Sequence, residues 1–240
     1  MRIAVVSDVH ANLPALEAVI DAAGRVDAWW HCGDIVGYGP HPDEVVERLR
    51  DLGAHGVLGN HDAAALGSPI VEAFNPYAQE SAAWTAKRIS RETRAWLEAL
   101  PERSVLEGWT LVHGSARDPM EEYVTSESSA AATIARVRTP NALHGHTHVP
   151  IAWRAAGTSA ERRPPVYDEA LLLGEDRWFL NPGSVGQPRD RDPRAAAMIL
   201  DTDAGAATWL RVAYPIARTQ ADIRAARLPA ILADRLDIGR

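Results

Sequence analysis

Seven residues between positions 8 and 148 are of types that ligate metal ions through oxygen or nitrogen: Asp8, His10, Asp34, Asn60, His113, His146 and His148. They offer two carboxylates, one amide oxygen and four imidazoles, with no thiolate among them. Mixed oxygen and nitrogen ligation suits divalent Mn, Fe, Co, Ni or Zn rather than calcium. One ion cannot comfortably use seven donors, whereas two ions about 4 Å apart that share a carboxylate can. The charge count favours chemistry over structure. Two dications less two carboxylates and one hydroxide leave roughly one unit of positive charge, which attracts an anion such as a phosphate oxygen. A structural site is normally closed and more fully neutralised.

Each of these residues follows an apolar run of β type. Residues 3–7 deliver Asp8 and His10, 28–32 deliver Asp34, and 55–58 deliver Asn60, His61 and Asp62. Residues 110–112 deliver His113, and 142–143 deliver His146 and His148. Helical spacing lies between the runs, as in Leu13, Leu16, Val19 and Ile20, or Val45, Val46, Leu49 and Leu52 after Pro42. Asn75-Pro76 reads as a cap and first-turn proline, Ser90 caps a helix to Leu100, and Ser126 or Ser128 starts another. Beyond residue 150 strands are expected at 151–154, 166–173, 178–180, 196–200 and 207–213, with 155–165 a loop and helix from about 216. Alternating β and α units followed by a β-rich half predict an α/β fold of two packed sheets flanked by helices. In open α/β sheets ligands bind beyond the carboxyl ends of strands, so five such ends bearing Asp, Asn or His predict one shared rim.

Composition limits the alternatives. The chain has 240 residues, 46% of them hydrophobic, and no linker-like tract, so one domain over residues 1–240 is expected. The net charge of −7, with 25 basic against 32 acidic residues, argues against a grip on long nucleic acid. Cys32 is the sole cysteine, which excludes an internal disulfide. With no secretory signal and no membrane-spanning stretch visible, a cytoplasmic location is the expectation.

The segments Asp8-Val9-His10, Gly33-Asp34, Gly59-Asn60-His61-Asp62, Val112-His113-Gly114 and Gly145-His146-Thr147-His148, in that order, resemble the motifs of the calcineurin-like metallophosphoesterase superfamily. Asn181-Pro182-Gly183-Ser184 resembles a segment of its small bacterial phosphodiesterase branch. The resemblance implies a four-layer αββα sandwich of two mixed sheets flanked by helices. It implies one metal on Asp8, His10, Asp34 and His148, and a second on Asp34, Asn60, His113 and His146, with Asp34 the bridge and manganese the favoured ion. A metal-bridging hydroxide would attack phosphorus, His61 would act on the leaving oxygen or the transition state, and Asp62 would orient the His61 imidazole. Dinuclear hydrolysis of small phosphate esters is expected, phosphodiesters first. Phosphomonoesters or nucleotides are the alternative, and a non-catalytic scaffold comes last.

The chain departs from the phosphoprotein phosphatases and diadenosine tetraphosphatases after Asp34. Their Asp-Arg pair is absent from Ile35-Val36-Gly37-Tyr38-Gly39-Pro40. Tyr38, His41, Arg189 and Arg191 are candidates for substrate contact, the two arginines as replacements for that missing cation. Residues 63–90 form an expected helical cap over the metals, in which Phe74, Tyr77 or Trp84 would select substrate. His144 reads as packing or as support for a ligand, and His31 and His55 as core or strand-end residues.

Overall fold

A computed structural model describes residues 1–240. Twelve strands form two mixed six-stranded sheets. In the first, β1 (Arg2–Val6), β2 (Ala28–His31) and β3 (His55–Gly56) run parallel. β1 also pairs antiparallel with β11 (Ala195–Asp201), followed by β12 (Ala206–Val212) and β9 (Ala170–Leu172). The second sheet has the order β4 (Arg103–Leu106), β5 (Trp109–Val112), β6 (Asn141–Leu143), β10 (Trp178–Asn181), β7 (Ile151–Ala156) and β8 (Ser159–Arg163). Its β5, β6 and β10 are parallel.

The period-two alternation of the strands sets the layers. In β1, Ile3 and Val5 face the second sheet and join Trp30, Leu111, Leu143, Leu180, Met198 and Trp209 in the inter-sheet core. Ala4 and Val6 face the other way, against α1 (Leu13–Ala23), α2 (Pro42–Asp51) and α5 (Arg91–Glu98). The outer face of the second sheet packs Val112, Ile151, Trp153 and Phe179 against α6 (Glu127–Ile134). The expected four-layer αββα sandwich is thus present. Each fully buried large aliphatic side chain in the inter-sheet core contributes roughly 1.5–3 kcal/mol.

The helices start where the sequence signals them. Asn12 accepts from Ala15 N–H at 3.3 Å to cap α1, and Asn75 accepts from Ala78 N–H at 3.1 Å to cap α4 (Pro76–Ala86). Two expectations need correction, and one strand was unforeseen. The strand at 166–173 forms only as β9, after a turn at Tyr167-Asp168. Residues 155–165 are not a plain loop: β7 and β8 form a hairpin there, turning at Gly157-Thr158. β4 was not expected at all. Both are polar edge strands, with Ala160 the one buried residue of β8, so neither carries an apolar run. Two C-terminal helices, α7 (Ile216–Ala225) and α8 (Ala230–Asp234), pack Ile223, Leu232 and Ala233 against Tyr38 and Ala78. No helix is long and apolar enough to cross a membrane.

Candidate metal centre

The carboxyl ends of β1, β2, β5 and β6 deliver their polar residues to one rim, and β3 leads into the short helix α3 (Asn60–Ala65), which carries Asn60, His61 and Asp62. Five of the seven candidate ligands sit at positive φ: Asp8 (52°), His10 (48°), Asp34 (54°), His146 (65°) and His148 (58°). A non-glycine residue there costs roughly 1–2 kcal/mol, and such strain collects where geometry serves function. Backbone bonds hold it in place. Asp8 N–H donates to Gly33 O at 3.0 Å, His10 N–H to Asp34 O at 3.0 Å, and His146 N–H to the Asp8 carboxylate at 3.2 Å.

Two buried donor clusters result. Asp8, His10, Asp34 and His148 bring ligand atoms within 4.8 Å of one another, and so do Asp34, His113 and His146. Asn60 joins the second through Oδ1, 2.9 Å from His113 Nε2. Asp34 belongs to both. Its Oδ2 lies 3.6 Å from His10 Nε2 and 3.4 Å from His113 Nε2, while Oδ1 accepts the His61 N–H at 2.8 Å.

The imidazoles are oriented from behind. His10, His113 and His148 place Nδ1 on the carbonyls of Val36 (3.2 Å), Cys32 (2.8 Å) and Gln187 (2.5 Å). His146 places Nε2 on Glu121 O at 3.2 Å. A carbonyl only accepts, so the outer nitrogen of each ring carries a proton, and the neutral His10, His146 and His148 rings aim a lone pair at the centre. His10 Nε2 and His148 Nε2 then face each other at 3.1 Å with no proton to share, a contact that a cation between them satisfies. Burial holds His10 and His148 below the usual imidazole range and His146 down at about 3. Burial opposes charge on His113 as well, but the Asp34 carboxylate outweighs it and lifts the ring to about 9. Two buried carboxylates thus draw in positive charge, and the donor set fits divalent cations.

Gly59 is required by contact. A Cβ there would lie 2.1 Å from Asp34 Oδ1 and 2.2 Å from Asp34 N. The Asn181 to Ser184 segment braces the rim: Asn181 Nδ2 donates to Gly145 O at 2.7 Å, and Ser184 Oγ to Asp8 O at 2.8 Å.

His61 reaches the site but Asp62 does not orient it. Asp62 Oδ1 accepts from Ile35 N–H (2.8 Å) and Val36 N–H (2.9 Å), and Oδ2 from Gly59 N–H (3.0 Å). The carboxylate therefore ties the loop after Asp34 to the turn before Asn60, and the imidazole has no share in it. Burial and the neighbouring Asp34 charge push Asp62 up to about 7, while its three N–H donors favour the anion. His61 Nδ1 is buried without a partner, close enough to Gly37 that a Cβ there would stand 2.8 Å away. Nε2 is the nitrogen left to meet a substrate. Burial holds the ring at about 4, so it is neutral.

Of the candidate substrate contacts, Tyr38 and Arg189 belong to the site. The Tyr38 ring is 4.3 Å from that of His61, and the Arg189 guanidinium is 5.9 Å from the Tyr38 ring. Arg189 has no carboxylate within salt-bridge distance, donates to Gln187 Oε1 at 3.0 Å, and leaves Nε buried and unpartnered. His41 and Arg191 are placed elsewhere. His41 pairs with Asp222 at 3.1 Å, because it caps α2 where α7 passes. Arg191 is exposed at the far end of its loop, with its N–H tied to Gly239 O at 2.9 Å. In the cap, Phe74 lines a cavity beside His61, but Tyr77 is exposed and Trp84 donates to Ala226 O at 3.1 Å on the C-terminal side. His144 is packing, stacked on Phe179 at 4.0 Å.

Tyr123, stacked on His146 at 3.8 Å, and the carbonyls of Gln187 and Glu121 were not foreseen. A backbone carbonyl has no sequence signature. Tyr123 lies ten residues beyond His113 in a loop whose course the sequence does not disclose.

The family model for the calcineurin-like phosphoesterase superfamily domain matches residues 1–205. The chain belongs to this superfamily. A crystal structure of a metallophosphoesterase from Sphaerobacter thermophilus is 46% identical, with a TM-score of 0.92, covering 100% of this chain and 99% of that one. An uncharacterised protein of Methanocaldococcus jannaschii is 36% identical across 99% of this chain and 98% of its own length. The phosphodiesterase YfcE of Escherichia coli K12 is 26% identical across 85% of this chain and 89% of its own. Within this superfamily the chain is a phosphoesterase with a candidate metal-binding centre.

Proposed function

We propose that this protein hydrolyses small phosphate esters, phosphodiesters foremost, with two divalent cations, manganese favoured, in the cytoplasm. Residues 1–240 act as one catalytic domain, with 63–90 its cap. The observation that carries this reading is Asp34 Oδ2, which stands between His10 Nε2 and His113 Nε2 and so joins two buried donor clusters through one carboxylate. Asp8, His10, Asp34 and His148 would hold one ion, and Asp34, Asn60, His113 and His146 the other. Cations bound there supply positive charge to the phosphoryl oxygens and lower the pKa of a water nucleophile towards neutrality.

The chain's own groups do the rest. Neutral His61 donates a hydrogen bond from Nε2 to the developing charge on the ester oxygens. Arg189, which has no carboxylate partner, neutralises a phosphoryl oxygen from the Tyr38 side. It does the work of the arginine absent after Asp34.

The YfcE likeness supports the diester reading. A cavity of about 180 Å³ beside His61, large enough for one substituent, supports phosphomonoester hydrolysis as the second reading. The test is turnover of bis-4-nitrophenyl phosphate against 4-nitrophenyl phosphate by metal-stripped chain resupplied with Mn, Fe, Co, Ni or Zn. Metal-dependent cleavage favouring the diester supports the proposal, and a monoester preference supports the second reading. No cleavage with two ions bound per chain removes both.

A further inference from the structure

Beside the candidate metal centre lies a cavity of about 180 Å³ whose floor includes Asn60, His61 and His146. Whole-ligand pockets run to roughly 300–1,000 Å³, so this one holds a single substituent of an ester whose phosphoryl group sits on the metal ligands. His61 borders it, and on the reading above His61 donates to the ester oxygens, the leaving oxygen among them. The substituent that enters is therefore the leaving group.

Phe74 and Tyr123 form two of its walls, with Tyr38 beside His61. Phe74 packs on His61 with ring centroids 4.6 Å apart, and Tyr123 stacks on His146 at 3.8 Å and 28°. Tyr123 is 50% exposed although one face is covered, so its other face is open. Neither ring is loosely held. Phe74 closes the 3-10 turn Pro69–Ala73, donating its N–H to Val71 O at 3.1 Å, immediately before the Asn75 cap of α4. That helix is locked to the Tyr38 loop by Tyr38 N–H to Ser81 Oγ at 2.6 Å. Tyr123 follows Glu122, which accepts from Ser115 Oγ and pairs with Arg117. Ring walls fixed before binding favour a flat ligand at low entropic cost.

The lining carries few charges. No lysine or arginine lines the cavity, and its one ionisable acid is Glu121, whose carboxylate has no salt-bridge partner. The nearby cation, Arg189, lies 5.9 Å from the Tyr38 ring and also stands close to Tyr123, where its charge works against the burial that raises that hydroxyl's pKa. Asn75 commits its oxygen to Ala78 N–H and leaves its amide N–H₂ without a protein partner, a donor for a ring acceptor.

We propose that this cavity is the leaving-group subsite, and that it takes a planar aromatic or heterocyclic ring placed between Phe74 and Tyr123. The inference rests on the phosphoryl-binding reading above. Its test uses inert phosphonates, which bind without being cleaved. Affinities of phenylphosphonate and methylphosphonate for the manganese-loaded full chain are measured by titration calorimetry. The expected result is a phenyl over methyl preference of about tenfold, the scale of one ring stacked on aromatic side chains. That preference falls towards unity in Phe74→Ala, Phe74→Leu and Tyr123→Ala, and persists in Tyr77→Ala on the exposed side of the cap. The leucine keeps the bulk and removes the π face, which separates stacking from packing. Equal binding of phenyl- and methylphosphonate by the wild type overturns the subsite and leaves the phosphoryl site standing. Equal weakening of both ligands in the Phe74 and Tyr123 variants also overturns it, since the rings then serve only to brace His61 and His146. Failure of every phosphonate to bind removes the phosphoryl reading itself.

Discussion

Replacing Asp62 with asparagine separates two roles for this carboxylate, because bracing the loops and orienting His61 leave different traces. The side chain is fully buried and accepts three backbone N–H bonds, from Ile35, Val36 and Gly59. Asparagine can keep its oxygen on Ile35 and Val36, but its amide nitrogen then faces the Gly59 N–H, donor against donor. Losing one charge-assisted bond and leaving a buried N–H unpaired costs about 2–3 kcal/mol. For 240 residues the unfolding entropy is roughly 0.5 kcal/mol/K, so Tm should fall by about 4–6 °C. Because the same bonds fix the segments on either side of Asp34 and Asn60, kcat should drop by roughly tenfold or more through misplacement of the ligands. The assay pairs differential scanning calorimetry of the metal-loaded variant with its pH–rate profile. An unchanged Tm together with a shifted pH–rate profile would refute the reasoning, since Asp62 would then act on the His61 imidazole.

Gly59→Ala forces a methyl group to within 2.1 Å of Asp34 Oδ1, so the bridging carboxylate must move. Both ions should be lost together, and elemental analysis that still finds two per folded chain contradicts this. His61→Ala should keep both ions while kcat falls by about 10²- to 10⁴-fold, the usual worth of a positioned acid–base group. Loss of metal in that variant would make His61 a ligand. Arg189→Gln should raise KM by roughly tenfold or more with little change in metal content, as removal of a charged hydrogen bond to phosphate does. An unchanged KM retires Arg189 as the phosphate grip.

The two sheets were legible from apolar runs of β type in the interior strands, and the principal helices from spacing and caps such as Asn75-Pro76 and Ser90. The edge strands β4 and β8 were not, because they bury too few residues to carry an apolar pattern. The same divide runs through the site. A metal ligand must be Asp, His or Asn and must follow a strand, so Asp8, His10, Asp34, Asn60, His113, His146 and His148 stand out by type and place alone. Support for those ligands comes from backbone carbonyls at Val36, Cys32, Gln187 and Glu121, groups every residue possesses, so no residue type announces them.

Asp62 shows why adjacency in sequence misleads. It follows His61 directly, yet on α3 successive side chains diverge by about 100°, and its carboxylate turns to the Gly59 and Ile35 amides. His41 and Arg191 share loops with true site residues and still end elsewhere, one on Asp222 and the other in solvent. Phe74 and Tyr123 are separated by 48 intervening positions and meet only because the cap and the loop after β5 close over the same rim. The sequence by itself determined which atoms could hold metal ions and the strand ends that would present them, since ligand chemistry and strand periodicity are local properties. Tertiary structure alone decided which carboxylate lies between two imidazoles, which arginine lacks a partner, and which rings wall the cavity. Those are distances between segments remote in the chain, and close packing, not local preference, sets them.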